Sequence, residues 1–176
     1  MGQNEIIRKA EKFCAENGIA DFPVKIVKIC NENGLQVFEE YLEPGVSGVI
    51  VVDDKKWEKY GCNQFILVNL ADSAARRRFT IAHELAHFLL HRNQNNLYAH
   101  RDYTDKGVVQ PKIEREANLF AANVLMPEIL VREAVEEIRS NTWGILPNFV
   151  LTREIADYFV VSESAAEVRL KQLEII

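Results

Sequence analysis

Residues 80–89 read Thr-Ile-Ala-His-Glu-Leu-Ala-His-Phe-Leu. On a helix, His83 and His87 stand one turn apart on the same face. Both imidazoles can then reach one ion at about 2.0–2.1 Å. Glu84 lies about 100° round the helix from His83, within reach of a water beside the ion but not of the ion itself. A Lewis acid, an acidified water and a carboxylate base are the parts of metal-assisted hydrolysis. Apart from the motif, Thr80 to Leu90 carries no charge. Two histidines and a glutamate suit a site better than the inside of a plain core helix. The bland alternative is a helix whose polar stripe faces water.

A catalytic zinc usually takes three protein ligands and keeps one position open. His91 shares the face of the two histidines, but it lies about 12 Å along the axis from His83. The three-histidine version of the motif turns on a glycine, and Phe88-Leu89-Leu90 has none. His91 therefore reads as a group supporting the ligands, a cation at the helix end, or a surface residue. The better third ligand is Glu114, in Lys112-Ile113-Glu114-Arg115-Glu116-Ala117-Asn118. Asn118 is four residues on and shares its face, placed to fix the tautomer of a ligating histidine. Glu116 is about 200° away from Glu114, so both cannot face one ion. Without the histidine motif, both would read as solvated acids. Two imidazoles and a carboxylate suit Zn2+, although manganese or iron can occupy the same set. A group to stabilise the developing oxyanion is not marked by either segment. Tyr98, His100 and Tyr103, and Asn69 just before the helix, are chemically able; Asn69 also reads as a turn residue.

The elements that must position these residues follow from periodicity. Ile6, Ile7, Ala10 and Cys14 mark a helix from about Asn4 to Asn17, stopped by Gly18. Pro23 opens a short helix through Val24, Val27 and Cys30, ended by Gly34. Leu35–Tyr41, Gly48–Asp53 and Phe65–Leu70 are rich in Val, Ile and Phe and read as strands of a small antiparallel three-stranded sheet. Asp72 or Ser73 caps the metal helix, which runs to about His91. Arg92 to Pro111 is polar and aperiodic, the profile of a functional lid or a disordered loop. Helices follow over Lys112–Met126, from Pro127 to about Arg139, Leu151–Phe159 and Ser162–Leu173. The expected fold is α+β: the sheet packed on a mainly helical, zincin-like domain spanning residues 1–176, with a helical subregion from about 142 to 176.

The chain has 176 residues, enough for a core without staples. Its charge of −5 argues against non-specific nucleic-acid binding. Cys14, Cys30 and Cys62 have no knuckle or redox spacing and read as packing thiols in a cytoplasmic protein. No run of about 18 apolar residues suggests a membrane span, and the amphipathic start does not resemble a secretory signal.

Arg78-Phe79-Thr80-Ile81-Ala82-His83-Glu84-Leu85-Ala86-His87 with Leu89-Leu90-His91 resembles the ImmA/IrrE family of metallopeptidases. So does Glu114-x-Glu116-Ala117-Asn118-x-Phe120-Ala121-Ala122-x-x-Leu125-Met126-Pro127. Ile155-Ala156-x-x-Phe159-x-Val161-Ser162 with Arg169-Leu170 also fits, as does the N-terminal helix with its Pro23–Gly34 unit. The resemblance thus covers nearly the whole chain. It implies a bacterial or phage zinc peptidase of the gluzincin-like type, with His83, His87 and Glu114 as ligands and Glu84 as base. It also implies a protein substrate, a helix-turn-helix repressor whose cleavage switches on mobile-element or stress genes. Ala86 departs from the glycine of many relatives, a change that a helix tolerates.

Leu151 to Ser162 has the rhythm of a helix-turn-helix, and the second helix would carry Glu163, Glu167, Arg169 and Lys171. Its first turns hold acids where base-reading side chains belong, so packing or partner binding is expected rather than DNA contact. The rival function is a metal-containing module that sequesters a repressor without cutting it. Retention of Glu84 counts against that, because a structural metal needs no base. DNA binding through the C-terminal helices is a third reading. An extended substrate segment is expected to pair with the sheet edge near the site.

Overall fold

Residues 1–91, 111–142 and 146–176 are described by a computed structural model. Helix α1 (Gln3–Glu16) buries Ile6, Ala10, Phe13 and Cys14 along one stripe. The stripe lies on α4 (Pro111–Leu125), where Phe13 meets Phe120 with ring centroids 5.7 Å apart. Helix α2 (Ile26–Glu32) starts later than its proline suggested. Pro23 follows a cis peptide bond and sits in the bend before the helix, not in its first turn.

Strands β1 (Gln36–Glu40), β2 (Gly48–Trp57) and β3 (Cys62–Asn69) form a sheet in the order β1-β3-β2 among the described residues. β2 and β3 are an antiparallel hairpin, but β1 runs parallel to β3, so the sheet is mixed and the all-antiparallel expectation is corrected. The central place of β3 has a hydrophobic cause. β3 carries the unbroken run Phe65-Ile66-Leu67-Val68, the profile of a strand covered on both faces. Docking β1 on its second edge puts that strand in the centre, where Phe65, Ile66 and Val68 are fully buried. β2 also continues past Asp53, with an irregular register between Val52 and Trp57.

Helix α3 (Ala74–His91) crosses the sheet. Ser73 caps it, its Oγ accepting from Arg76 N–H at 3.2 Å. Gly48 makes the crossing possible: a Cβ there would lie 2.3 Å from Thr80 Cγ2. Arg78 holds α3 to its neighbours, one Nη donating to Val24 O at 2.8 Å and to Phe159 O at 3.4 Å. Helix α5 (Glu128–Ser140) follows Pro127 at its N-cap. Helices α6 (Asn148–Phe159) and α7 (Glu163–Gln172) are joined through Val160, which takes the left-handed conformation.

One buried cluster draws on every helix and on the sheet, from Ile6 to Leu173. Each such large side chain stabilises the fold by about 1.5–3 kcal/mol. The other sheet face carries a smaller cluster around Phe65, with Phe38, Trp57 and Tyr60 packed against it. Among the described residues, no helix is long and apolar enough to cross a membrane. The polar stretch expected as a loop, with Tyr98, His100 and Tyr103, lies outside the described residues.

Candidate metal centre

α3 and α4 pack directly on each other, and the contact brings three side chains together. His83 and His87 lie on the inward face of α3 and are 6% and 4% exposed. Their Nε2 atoms are 3.0 Å apart. From the first turn of α4, Glu114 places Oε2 at 3.2 Å from His83 Nε2 and Oε1 at 3.4 Å from His87 Nε2. A tetrahedral ion with bonds of about 2.0–2.1 Å separates its ligand atoms by roughly 3.3–3.4 Å. The donor set and its spacing therefore fit a zinc-sized ion.

His83 is held from behind. Its Nδ1 lies 2.9 Å from Asn118 Oδ1. An amide oxygen can only accept, so Nδ1 carries the hydrogen, which leaves Nε2 as the atom that would face an ion. Phe79, one turn earlier, lies against the same ring with centroids 6.1 Å apart. The heptapeptide from Lys112 to Asn118 thus delivers both a carboxylate and the group that orients a histidine.

The electrostatics are those of an acid facing imidazoles. Burial pushes the Glu114 carboxyl up, but hydrogen bonds and charge from His83 and His87 hold it well below the usual carboxylate range. Burial pulls His83 down, yet the hydrogen bond to Glu114, the charges of Glu84 and Glu114, and the bond to Asn118 together raise it. Glu84 itself is 1% exposed, an acid enclosed next to the histidines.

The remaining candidates are placed elsewhere. His91 is buried, which removes the surface-residue reading, and its Nε2 stands 3.8 Å from Glu116 Oε2. Glu116 turns away from His83 and His87, its Oε1 accepting from the Met1 ammonium at 2.5 Å. Asn69 is a loop brace: its side chain donates to Val46 O at 2.7 Å and accepts from Ala71 N–H at 3.0 Å. Arg169 is not on an exposed reading face of α7. It is 5% exposed, and its Nε donates to Met126 O at 3.0 Å. Phe79 was missed from the sequence, although its position four residues before His83 on an apolar helix was the available signal.

Comparisons with known proteins bear on the family to which the chain belongs. Residues 30–171 match the family described as IrrE N-terminal-like domain, a peptidase family. Metallopeptidase ImmA of Bacillus subtilis is 24% identical over 148 residues, covering 84% of this chain and 76% of that protein. Radiation response metalloprotease IrrE of Deinococcus radiodurans is 37% identical over 71 residues, covering 40% of this chain and 22% of that protein. A solved structure, a Mycobacterium tuberculosis transcriptional regulator, superposes with a TM-score of 0.61 at 16% identity, over 96% of this chain and 46% of that one, a likeness of fold alone. With the family match running across most of the chain, the protein belongs to the ImmA/IrrE family of metallopeptidases.

Proposed function

We propose that this protein is a zinc-dependent endopeptidase of zincin-like fold, acting in the cytoplasm as one domain. In this reading it cleaves a helix-turn-helix transcriptional repressor. The observation that carries it is the convergence of His83 Nε2, His87 Nε2 and the Glu114 carboxylate within bonding reach of one ion. His83, His87 and Glu114 would hold the ion, completing His-Glu-x-x-His with a distant glutamate. When bound, it supplies Lewis-acid chemistry, polarising a carbonyl and making water more acidic.

The chain's own residues do the rest. Glu84 accepts the proton of the attacking water as its oxygen adds to the peptide carbonyl carbon. It then passes that proton to the departing amide nitrogen, so the C–N bond breaks to leave a carboxylate and an amine. Enclosure of Glu84 keeps bulk water from competing for the proton. Asn118 and Phe79 hold the His83 ring so that its lone pair does not wander. β2, an edge strand among the described residues and one that α3 packs on, is suited to hold a substrate segment extended.

The test is incubation of the zinc-loaded protein with helix-turn-helix repressors from its own genome, beside Glu84→Gln. Discrete repressor fragments are expected, formed about 10²–10⁴-fold more slowly by the variant at unchanged zinc content. An intact repressor held in a stable complex, with Glu84→Gln equally effective in cells, would replace cleavage by sequestration.

A further inference from the structure

Residues of α1, α4, α7 and the start of α3 line a cavity of about 790 Å³. That is the size of a small-molecule site, not of an extended protein interface. Its wall is mostly apolar, with Ile6, Leu119, Leu125, Met126 and Val168 contributing. The charged residues on it are unbalanced: Arg76, Lys112, Arg115 and Arg169 against the single acid Glu116. Glu116 is already paired with the Met1 ammonium.

Arg169 is the feature that most needs an explanation. It is 95% buried, being 5% exposed, and lines the cavity. Only its Nε is used, donating to Met126 O just beyond the end of α4. Its Nη nitrogens have no acceptor among the described residues, and no carboxylate there comes within ion-pair distance. The charges of Glu128 and Glu11 act on it from further off, and Glu128 is engaged by Arg132 at 2.7 Å. A buried cation of this kind is normally matched by an anion. With Nε engaged, the edge formed by the two Nη nitrogens is left to present the geometry for a carboxylate.

We propose that the cavity binds a small amphipathic carboxylate, with its acid group on the Arg169 Nη atoms and its chain along Leu119, Leu125 and Val168. The charges of Arg76, Lys112 and Arg115 at the wall favour the same sign of ligand. The site adjoins the metal centre through two residues. Asn118 lines the cavity and also accepts from His83; Phe79 lines it and also packs on the His83 ring. A ligand seated there touches both supports of one histidine.

Binding of decanoate to the full-length, metal-free protein tests this without any need for cleavage, so it can fail while the peptidase reading stands, and the reverse. Calorimetry should give one site with a Kd on the order of 10–100 µM. Decanol, which lacks the charge, should bind at least about tenfold more weakly. Arg169→Met should lose binding. Because that change also removes a bond to α4, Ala165→Trp serves as the second variant: it fills the cavity, keeps Arg169, and should block decanoate equally. In the wild type, the Asn118 side-chain amide resonances should shift on saturation. Absence of binding at 1 mM, equal affinity for decanol, full affinity in Ala165→Trp, or unmoved Asn118 resonances would each overturn the proposal.

Discussion

Glu114 and Glu116 stand two residues apart on α4 and meet opposite surroundings. Glu114 faces α3, where two imidazole nitrogens lie 3.2 and 3.4 Å from its oxygens. Glu116 faces α1 and the end of α3, with an ammonium at 2.5 Å and His91 at 3.8 Å. The first is half-open, at 20% side-chain exposure; the second is closed, at 9%. The difference lies in convergence. Several donors aimed at one point from a cleft can share an ion, whereas an acid paired one-to-one in a closed space is a structural clasp. The two faces of one helix thus divide chemistry from cohesion.

The sharpest way to break this contrast is to exchange the two losses. Glu114→Ala should lower zinc affinity by more than about a hundredfold, since even groups behind a ligand are worth 10–100-fold. Elemental analysis after dialysis measures it, and retained stoichiometric zinc would move the ligand elsewhere. Asn118→Ala should fall in the 10–100-fold range, because it removes only the group that sets the His83 tautomer. Glu116→Gln should leave zinc binding intact and instead cost about 1–3 kcal/mol of stability, or some 2–4 °C per kcal/mol in a thermal melt. A zinc loss in Glu116→Gln as large as that in Glu114→Ala would erase the distinction.

The smallest effect concerns how dry the α1 side is. Burial, helped by the Glu11 charge, pushes the Cys14 thiol up to about 11, and burial pushes Cys30 up to about 12. A raised thiol favours the protonated form in the folded state. Its contribution is therefore fully present below the ordinary value of 9.0 and is lost as pH rises through about 11. At pH 8, iodoacetamide should modify the partly exposed Cys62 at least about tenfold faster than Cys14 or Cys30 in the native protein. Equal rates would mean that the core around α1 and α2 opens readily.

The site was largely legible because its signals are local. His83 and His87 need only helix periodicity, and the Ser73 cap and the Glu114–Asn118 spacing are written within one turn each. What escaped was non-local or inward-turning. Nothing in Leu35–Tyr41 says which strand it will pair with or in which direction, since its partner, β3, lies some thirty residues further on. Arg169 sits among Glu163, Glu167 and Lys171 and looks like one more surface charge; only packing of α7 on α4 shows that it points inward. The helix spacing of Glu116 turns it away from Glu114, but nothing in it names the Met1 ammonium as the partner. Pro23 carries the residue type of a helix start, yet α2 begins only at Ile26.

The contact between Gly48 and Thr80 has a mechanical meaning. Thr80 lies one turn before His83 and Glu84, and its methyl group occupies the space a side chain at 48 would need. The strand's first residue is therefore a stop against which the histidine-bearing helix rests. If β2 holds a substrate as proposed, a shift of the strand at Gly48 meets α3 one turn before His83 and Glu84.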